Sequence, residues 1–249
     1  MRIELLKKLA RKKIFTIEEV AEISGVKKSS LRVLLSRLEK RGLIERIERG
    51  KYVVIPLEAE RSEYTLHEFI IGSQLVQPSA IAYWSALNYY GFTEQIPSTV
   101  FIQTTARKKK RELTIFGVKY KIVRIKPEKF FGIKRTWIEE FQVPITDREK
   151  TIVDCLDKPR YCGGIVEVAK AFKNKNEFDL EKLRRYALRM GNSAVIRRLG
   201  YLCDYFDIPI DLQKPKTRNY ILLDPTMPRR GCVDGKWKVI VNIELEELE

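Results

Sequence analysis

The sequence predicts an α+β protein, an N-terminal winged helix-turn-helix followed by a larger mixed α+β domain. Three observations carry that expectation. Residues 3–41 space their apolar side chains as helices do, with a break at Gly25. Two short β-prone runs follow, at 43–47 and 51–55, around a turn at Gly50. Beyond residue 78, strand-like and helix-like segments are mixed through to the end of the chain. The expected divisions are a winged helix over 1–57, a connector over 58–77 and the second domain over 78–249.

In the first domain, Ile3, Leu5, Leu6, Leu9 and Ala10 form one helical stripe, closed by the basic residues Arg11, Lys12 and Lys13. A second helix begins near Thr16. That residue can cap the amide of Glu19 while Glu19 reaches back to Thr16, and Phe15 and Val20 are placed as a hydrophobic staple. Ala21 and Ile23 continue the expected buried face. Gly25 ends the helix, since it adopts the left-handed backbone of a tight turn without strain.

The third helix is expected over about 28–41, with Leu31, Leu34, Leu35 and Leu38 on its inner face. In a winged helix this element enters the major groove and the hairpin reaches the flanking backbone. Its start is unusual. Lys27 is a poor N-cap, and Lys27 and Lys28 oppose the helix dipole, a cost that a bound phosphate would reverse. The candidate DNA contacts are Thr16, Lys27, Lys28, Ser29, Ser30, Arg32, Val33, Ser36 and Arg37, with Arg49 and Lys51 from the wing. Val33 can either meet a thymine methyl or pack against the wing. The competing reading of Lys27 and Lys28 is an ordinary solvated surface.

The second domain opens with an expected helix that has Pro78 near its start and Ile81, Trp84, Leu87 and Tyr90 inward. Strands are expected over 100–104, 113–116 and 118–125, and the first two frame a basic hairpin. Between Arg107 and Arg135 stand twelve Lys or Arg and two Glu, a local charge of +10 within a chain total of +15. Arg107, Lys108, Lys109, Lys110, Arg111, Lys119, Lys121 and Arg124 form a second candidate anion-binding patch, for DNA or for an acidic protein, with a solvated rim as the plainer alternative. Helices follow at about 147–156, 164–172, 180–190 and 193–206, then strands at 220–223 and 237–241. The acidic end, 244–249, can fray or cover a basic surface.

Composition narrows the function classes. A net charge of +15 and a pI near 9.6 favour an anionic partner. No apolar run approaches the roughly 18 residues of a membrane span, and the first residues lack the apolar core of a secretion signal, so a cytoplasmic protein is expected. Cys155, Cys162, Cys203 and Cys232 are scattered, and His67 stands far from them in sequence. They read as reduced, mostly buried thiols and a structural histidine, with no metal site and no cofactor motif.

Several motifs of the second domain recur together in one family. They are the run from Ser85 through Asn88, Tyr89, Tyr90 and Gly91 to Pro97, the basic loop, and the segment from Thr146, Asp147, Arg148, Glu149 and Lys150 to Leu156. Pro159 with Cys162, Gly163 and Gly164 comes next, then Arg197, Arg198, Leu199, Gly200 and Tyr201, then Trp237 with Asn242. In this order they resemble the AbiEi family, the antitoxin and transcriptional-repressor component of type IV toxin–antitoxin systems. The resemblance implies a non-enzymatic regulator that binds double-stranded DNA at its own operator and represses its own operon; a homodimer on that DNA is a separate expectation. It also implies a second domain that counters a nucleotidyltransferase-like toxin. Within the recurring segment, Thr146 is placed to cap the amide of Glu149.

Other readings compete. A stand-alone transcriptional regulator needs no toxin. A metal-dependent nuclease would use Asp147, Glu149 and Lys150, but four residues at a helix start send those side chains apart. An RNA-binding module would use the basic hairpin, yet the sequence shows no clear exposed aromatic residues for base stacking.

Overall fold

The computed structural model describes residues 12–55 and 66–245, with backbone alone at 174–176. The expected helix over 3–10, the connector over 58–65 and the acidic end at 246–249 lie outside the described residues. The chain divides into two compact units, one holding the residues up to Ile71 with Ile115–Gly117, the other Gly72–Thr114 with Val118 onward. Among the described residues no helix is long and apolar enough to cross a membrane.

The first unit runs β1 (Ile14–Thr16), α1 (Ile17–Ser24), α2 (Lys28–Lys40), β2 (Ile44–Glu48) and β3 (Lys51–Val54). Its sheet has the order β1-β3-β2, antiparallel throughout. Sequence reading took residues 15–20 as a helix start; the strand Ile14–Thr16 precedes it, too short to leave a period of its own. Phe15, Ile17 and Val20 close over Leu31, Leu35, Leu38, Ile44 and Tyr52, and the Phe15 and Tyr52 rings stack at 5.7 Å across the β1–β3 pair. Ile23, expected inside, is 43% exposed in the last turn of α1.

The second unit is built on a mixed six-stranded sheet of order β6-β7-β5-β4-β9-β8. Its strands are β4 (Ala80–Ile81), β5 (Thr99–Thr104), β6 (Glu112–Ile115), β7 (Val118–Arg124), β8 (Ile133–Ile138) and β9 (Phe141–Thr146). The short helix α3 (Glu68–Gln74) brings Gly72 so close to one sheet face that a Cβ there would lie 3.3–3.4 Å from Ile81, Ile102 and Val100. The helices α4 (Tyr83–Tyr89), α5 (Arg148–Asp157), α6 (Ile165–Lys170), α7 (Leu180–Arg189) and α8 (Ser193–Tyr205) supply most of the main core. Every residue of α5 from Glu149 to Leu156 is buried, three of them charged, which makes it the central helix of the unit. A small sheet of β10 (Ile221–Leu222), β12 (Val239–Val241) and β11 (Cys232–Asp234) completes it.

Three local expectations change. The segment after Pro78 is the strand β4 and not a helix start; Ile81 pairs with both Ile102 and Ile145 in the sheet interior. The β8–β9 hairpin was not anticipated, and Pro144 within it explains why, since proline argues against an interior strand. The cap of α5 is Asp147, whose carboxylate accepts from the Lys150 amide at 2.8 Å, while Thr146 turns its hydroxyl to Thr151.

Candidate nucleic-acid interface

Helix α1, which leads into α2, is fixed at both ends. The Thr16–Glu19 capping box forms as expected: the Thr16 hydroxyl accepts from the Glu19 amide at 3.2 Å and the Glu19 carboxylate accepts from the Thr16 amide at 2.7 Å. Gly25 then turns the chain with φ +66° and donates its amide to Ala21. At the start of α2, Lys27 makes no side-chain cap and no acid occupies the first turn. The helix therefore offers bare amides and cations at its N-terminus, an arrangement suited to a phosphate.

Outward from this end, Ser29, Ser30, Arg32, Val33, Ser36 and Arg37 are all exposed on α2. Val33, at 54% exposed, does not pack against the wing. Arg32, Ser36 and Arg37 form no ion pair or side-chain hydrogen bond among the described residues, so their donors are available. Lys28 differs. It pairs with Glu18 at 3.0 Å, and that bond holds the Glu18 carboxyl below the usual carboxylate range. Thr16 also differs: its hydroxyl is engaged in the capping box and supports the helix first.

On the wing, Arg49 is exposed at the β2–β3 turn, where Gly50 has φ +76° and its carbonyl accepts from the Ile17 amide at 2.8 Å. Lys51 is half-buried and has interactions of its own. Arg46 was missed by sequence reading. It is exposed on β2 between the buried Ile44 and Ile47, and the bulge between Arg46 and Glu48 is the irregularity that breaks strict alternation.

In the second unit the basic residues do not form the expected hairpin between neighbouring strands. β7 lies between β5 and β6, parallel to β5, so Arg107, Lys108, Lys109, Lys110 and Arg111 occupy a connecting loop. That loop is tied down: Arg124 donates to the Thr105 carbonyl at 3.2 Å, the Ile122 amide donates to the Arg111 carbonyl at 2.8 Å, and Lys108 donates to the Leu75 carbonyl. Arg107, Lys109, Lys110, Arg111, Lys119 and Arg124 remain exposed; Lys108 and Lys121 are half-buried, Lys121 bonded to Glu112.

The residues of the nuclease reading separate, though not as expected. Asp147 and Glu149 converge on one cation, Lys182, at 3.1 and 2.8 Å. Burial works against that ammonium, but the hydrogen bonds it donates to Glu149 and Asp147 carry its pKa up to about 12. The Tyr186 hydroxyl also donates to Asp147. Lys150 points into the core toward Asp154, where burial outweighs the lysine and raises the Asp154 pKa to about 6. Among the described residues no three His, Cys, Asp or Glu gather as metal ligands. Cys155, Cys162 and Cys203 are buried free thiols, and Cys232 is exposed.

The other recurring motif residues act as struts. Arg197 donates to the carbonyls of Trp237, Asn219 and Lys238, and Arg198 to those of Leu223, Leu156 and Leu222. The Asn242 side chain accepts from the Asp224 amide and donates to the Asp224 carbonyl, and the Asp224 carboxylate accepts from the Ile165 amide at the start of α6. Gly200 lies against the Trp237 indole so closely that a Cβ would fall 2.5 Å from its ring.

The crystal structure of the RV2827C protein from Mycobacterium tuberculosis has a similar fold, at a TM-score of 0.68 and 13% identity, over 94% of this chain and 88% of that one. No curated protein matches the chain in sequence. The family model described as a transcriptional regulator, AbiEi antitoxin, matches residues 4–55. Through that winged-helix segment the chain is similar to the AbiEi antitoxin transcriptional regulators, the family that its motifs resemble.

Proposed function

We propose that the protein is a cytoplasmic, sequence-specific repressor that binds double-stranded DNA through α2 and its wing. It acts at the operator of its own operon, as the antitoxin of a type IV toxin–antitoxin pair. One observation carries the DNA reading: the α2 face of Ser29, Ser30, Arg32, Ser36 and Arg37 stands exposed, next to a helix N-terminus with no side-chain cap. A recognition helix needs donors that are not already spent, placed where base edges can reach them. The family match over residues 4–55 supports the regulatory role. The toxin partner, a nucleotidyltransferase-like protein, rests on that match and on the motif resemblance. The protein acts by binding and has no catalytic role: Asp147 and Glu149 are committed to Lys182, and Lys150 to Asp154 in the core.

The test uses the full chain and labelled DNA from upstream of its own gene. Protection of a discrete site, against much weaker binding to scrambled duplex of equal length, is the expected result. Equal affinity for both sequences at physiological salt would overturn it. Co-expression with the neighbouring gene product tests the toxin half separately. Growth arrest relieved by this chain supports it, and a neighbouring gene product without toxicity leaves a stand-alone regulator.

A further inference from the structure

The basic side of the second unit holds more than charge. In β5, Thr99 and Phe101 point to one face while Val100 and Ile102 are buried on the other. The parallel register sets Thr99 opposite Lys119 and Phe101 opposite Lys121. That face lines a cleft of about 750 Å³ together with Lys110, Glu112, Thr114 and Tyr161. Tyr161 ends the 3₁₀ turn Pro159–Tyr161, and its ring centroid lies 5.8 Å from that of Phe101. The Arg160 guanidinium stands 4.7 Å from the centre of the same ring.

Three features of this cleft belong together. Phe101 and Tyr161 are only half-buried and line it with apolar ring surface. Lys110 and Lys119 reach its rim, and neither forms an ion pair among the described residues. The single acid in the lining, Glu112, is bonded to Lys121, whose ammonium holds its carboxyl below the usual range. Arg107, Lys109 and Arg111, in the same loop as Lys110, are exposed.

From this juxtaposition we infer a second nucleic-acid site: the cleft takes single-stranded nucleic acid, a base lying against Phe101 and Tyr161 and the flanking phosphates on Lys110 and Lys119. The rings select the occupant. In a duplex each base is covered above and below by its neighbours, so a phosphate-binding loop can touch a duplex but a recessed ring cannot stack on one. An unpaired base can be turned out of its strand and laid on the ring. Every base has such a face, so the site tolerates sequence, unlike the α2 surface. An acidic peptide would satisfy the lysines and leave the rings unused.

The inference stands apart from the operator reading, and its test separates the two. Full-length protein is titrated into fluorescein-labelled oligo(dT) and oligo(U) of about a dozen nucleotides, within the usual site sizes. The same titration uses an abasic strand of equal length and charge and an unrelated duplex. Both base-bearing strands are expected to bind at least about ten-fold more tightly than the abasic strand. Tyr161→Ala should weaken them by about ten- to a hundred-fold, while Tyr161→Phe keeps the affinity. Lys119→Gln should reduce the salt slope by about 0.7 for one lost phosphate contact. Arg32→Ala should leave oligo(dT) binding unchanged and weaken the operator only. Circular dichroism and the thermal midpoint check each variant; if Tyr161→Ala fails to fold, the abasic strand and Lys119→Gln decide. Equal affinity for the base-bearing and abasic strands, or a salt slope unmoved by Lys119→Gln, overturns the proposal. So does displacement of oligo(dT) by a poly-glutamate peptide as effectively as by unlabelled strand.

Discussion

On α2 of the first unit, Arg32 and Arg37 are exposed and form no ion pair or side-chain hydrogen bond among the described residues, whereas on α5 of the second, Lys150 and Asp154 face each other at 0% and 2% side-chain exposure. The same contrast runs through both units. The cations of the winged helix are mostly held outward, and the charged residues of the recurring second-unit motifs are mostly consumed inside. Arg197 and Arg198 serve six carbonyls, and Glu149 serves Lys182 and the Asp179 amide. Charge satisfied internally fixes architecture; charge left unsatisfied at a surface is available to a ligand. In the second unit the helix-borne residues of the family resemblance, Glu149, Lys150, Arg197 and Arg198, are therefore not the ones best placed to bind anything; the exposed basic loop is the exception.

The strongest test of this contrast is Lys150→Ala. It leaves Asp154 buried beside an empty partner position and should cost about 3–5 kcal/mol of unfolding free energy, measured in urea. Replacing both Lys150 and Asp154 with apolar residues of similar size should be much milder. A cost below about 1 kcal/mol for the single variant would show that the pair is not structural. The pair also has a pH signature. Asp154 has its folded pKa raised from 3.8 to about 6, so the folded state binds a proton more readily than the unfolded chain in that window. Its contribution to stability is therefore greatest at the acid end and falls as pH rises from about 4 to about 6. Asp154→Asn should remove that slope, read as the difference between the two unfolding curves across pH.

Gly200→Ala comes next. A Cβ at 2.5 Å from the Trp237 indole forces α8 away from the small sheet, at a cost of about 1–3 kcal/mol. Retained stability in this variant would mean that the motif glycine is not there for packing. On the other side of the contrast, Arg32→Ala should leave the thermal midpoint within about a degree or two while weakening operator binding by about 1–3 kcal/mol, read by anisotropy. A destabilised fold with operator affinity intact would reverse the assignment. The smallest effect is expected at Thr16, where Ala should cost about 1 kcal/mol of stability through the lost cap. Thr16→Asp, which keeps a capping oxygen, should restore that stability; full stability with lost DNA affinity in Thr16→Ala would make Thr16 a contact first.

Much of the first unit was legible because its signals are local. The Thr16–Glu19 box, the turn at Gly25 and the leucine face of α2 each depend on residues within about four positions of one another, the reach of a helical turn. The outward face of α2 followed from the same period. What escaped there was decided by length and irregularity: a three-residue β1, the end-of-helix position of Ile23, and Arg46 beside a bulge.

By itself the sequence determined the sign and concentration of charge, the capped and periodic helices, and the identity of the α2 face. Those properties are sums or short-range patterns, and distant chain does not alter them. Only the tertiary structure decided that β7 lies between β5 and β6, that Asp147 and Glu149 meet on Lys182, and that Phe101 and Tyr161 come within 5.8 Å beside Lys119. Each joins segments well apart in the chain or reorders neighbours in a sheet. The aromatic residues missing from a linear reading of the basic loop are supplied by a strand before it and a turn some fifty residues after it, and strand order leaves no period in the sequence between them.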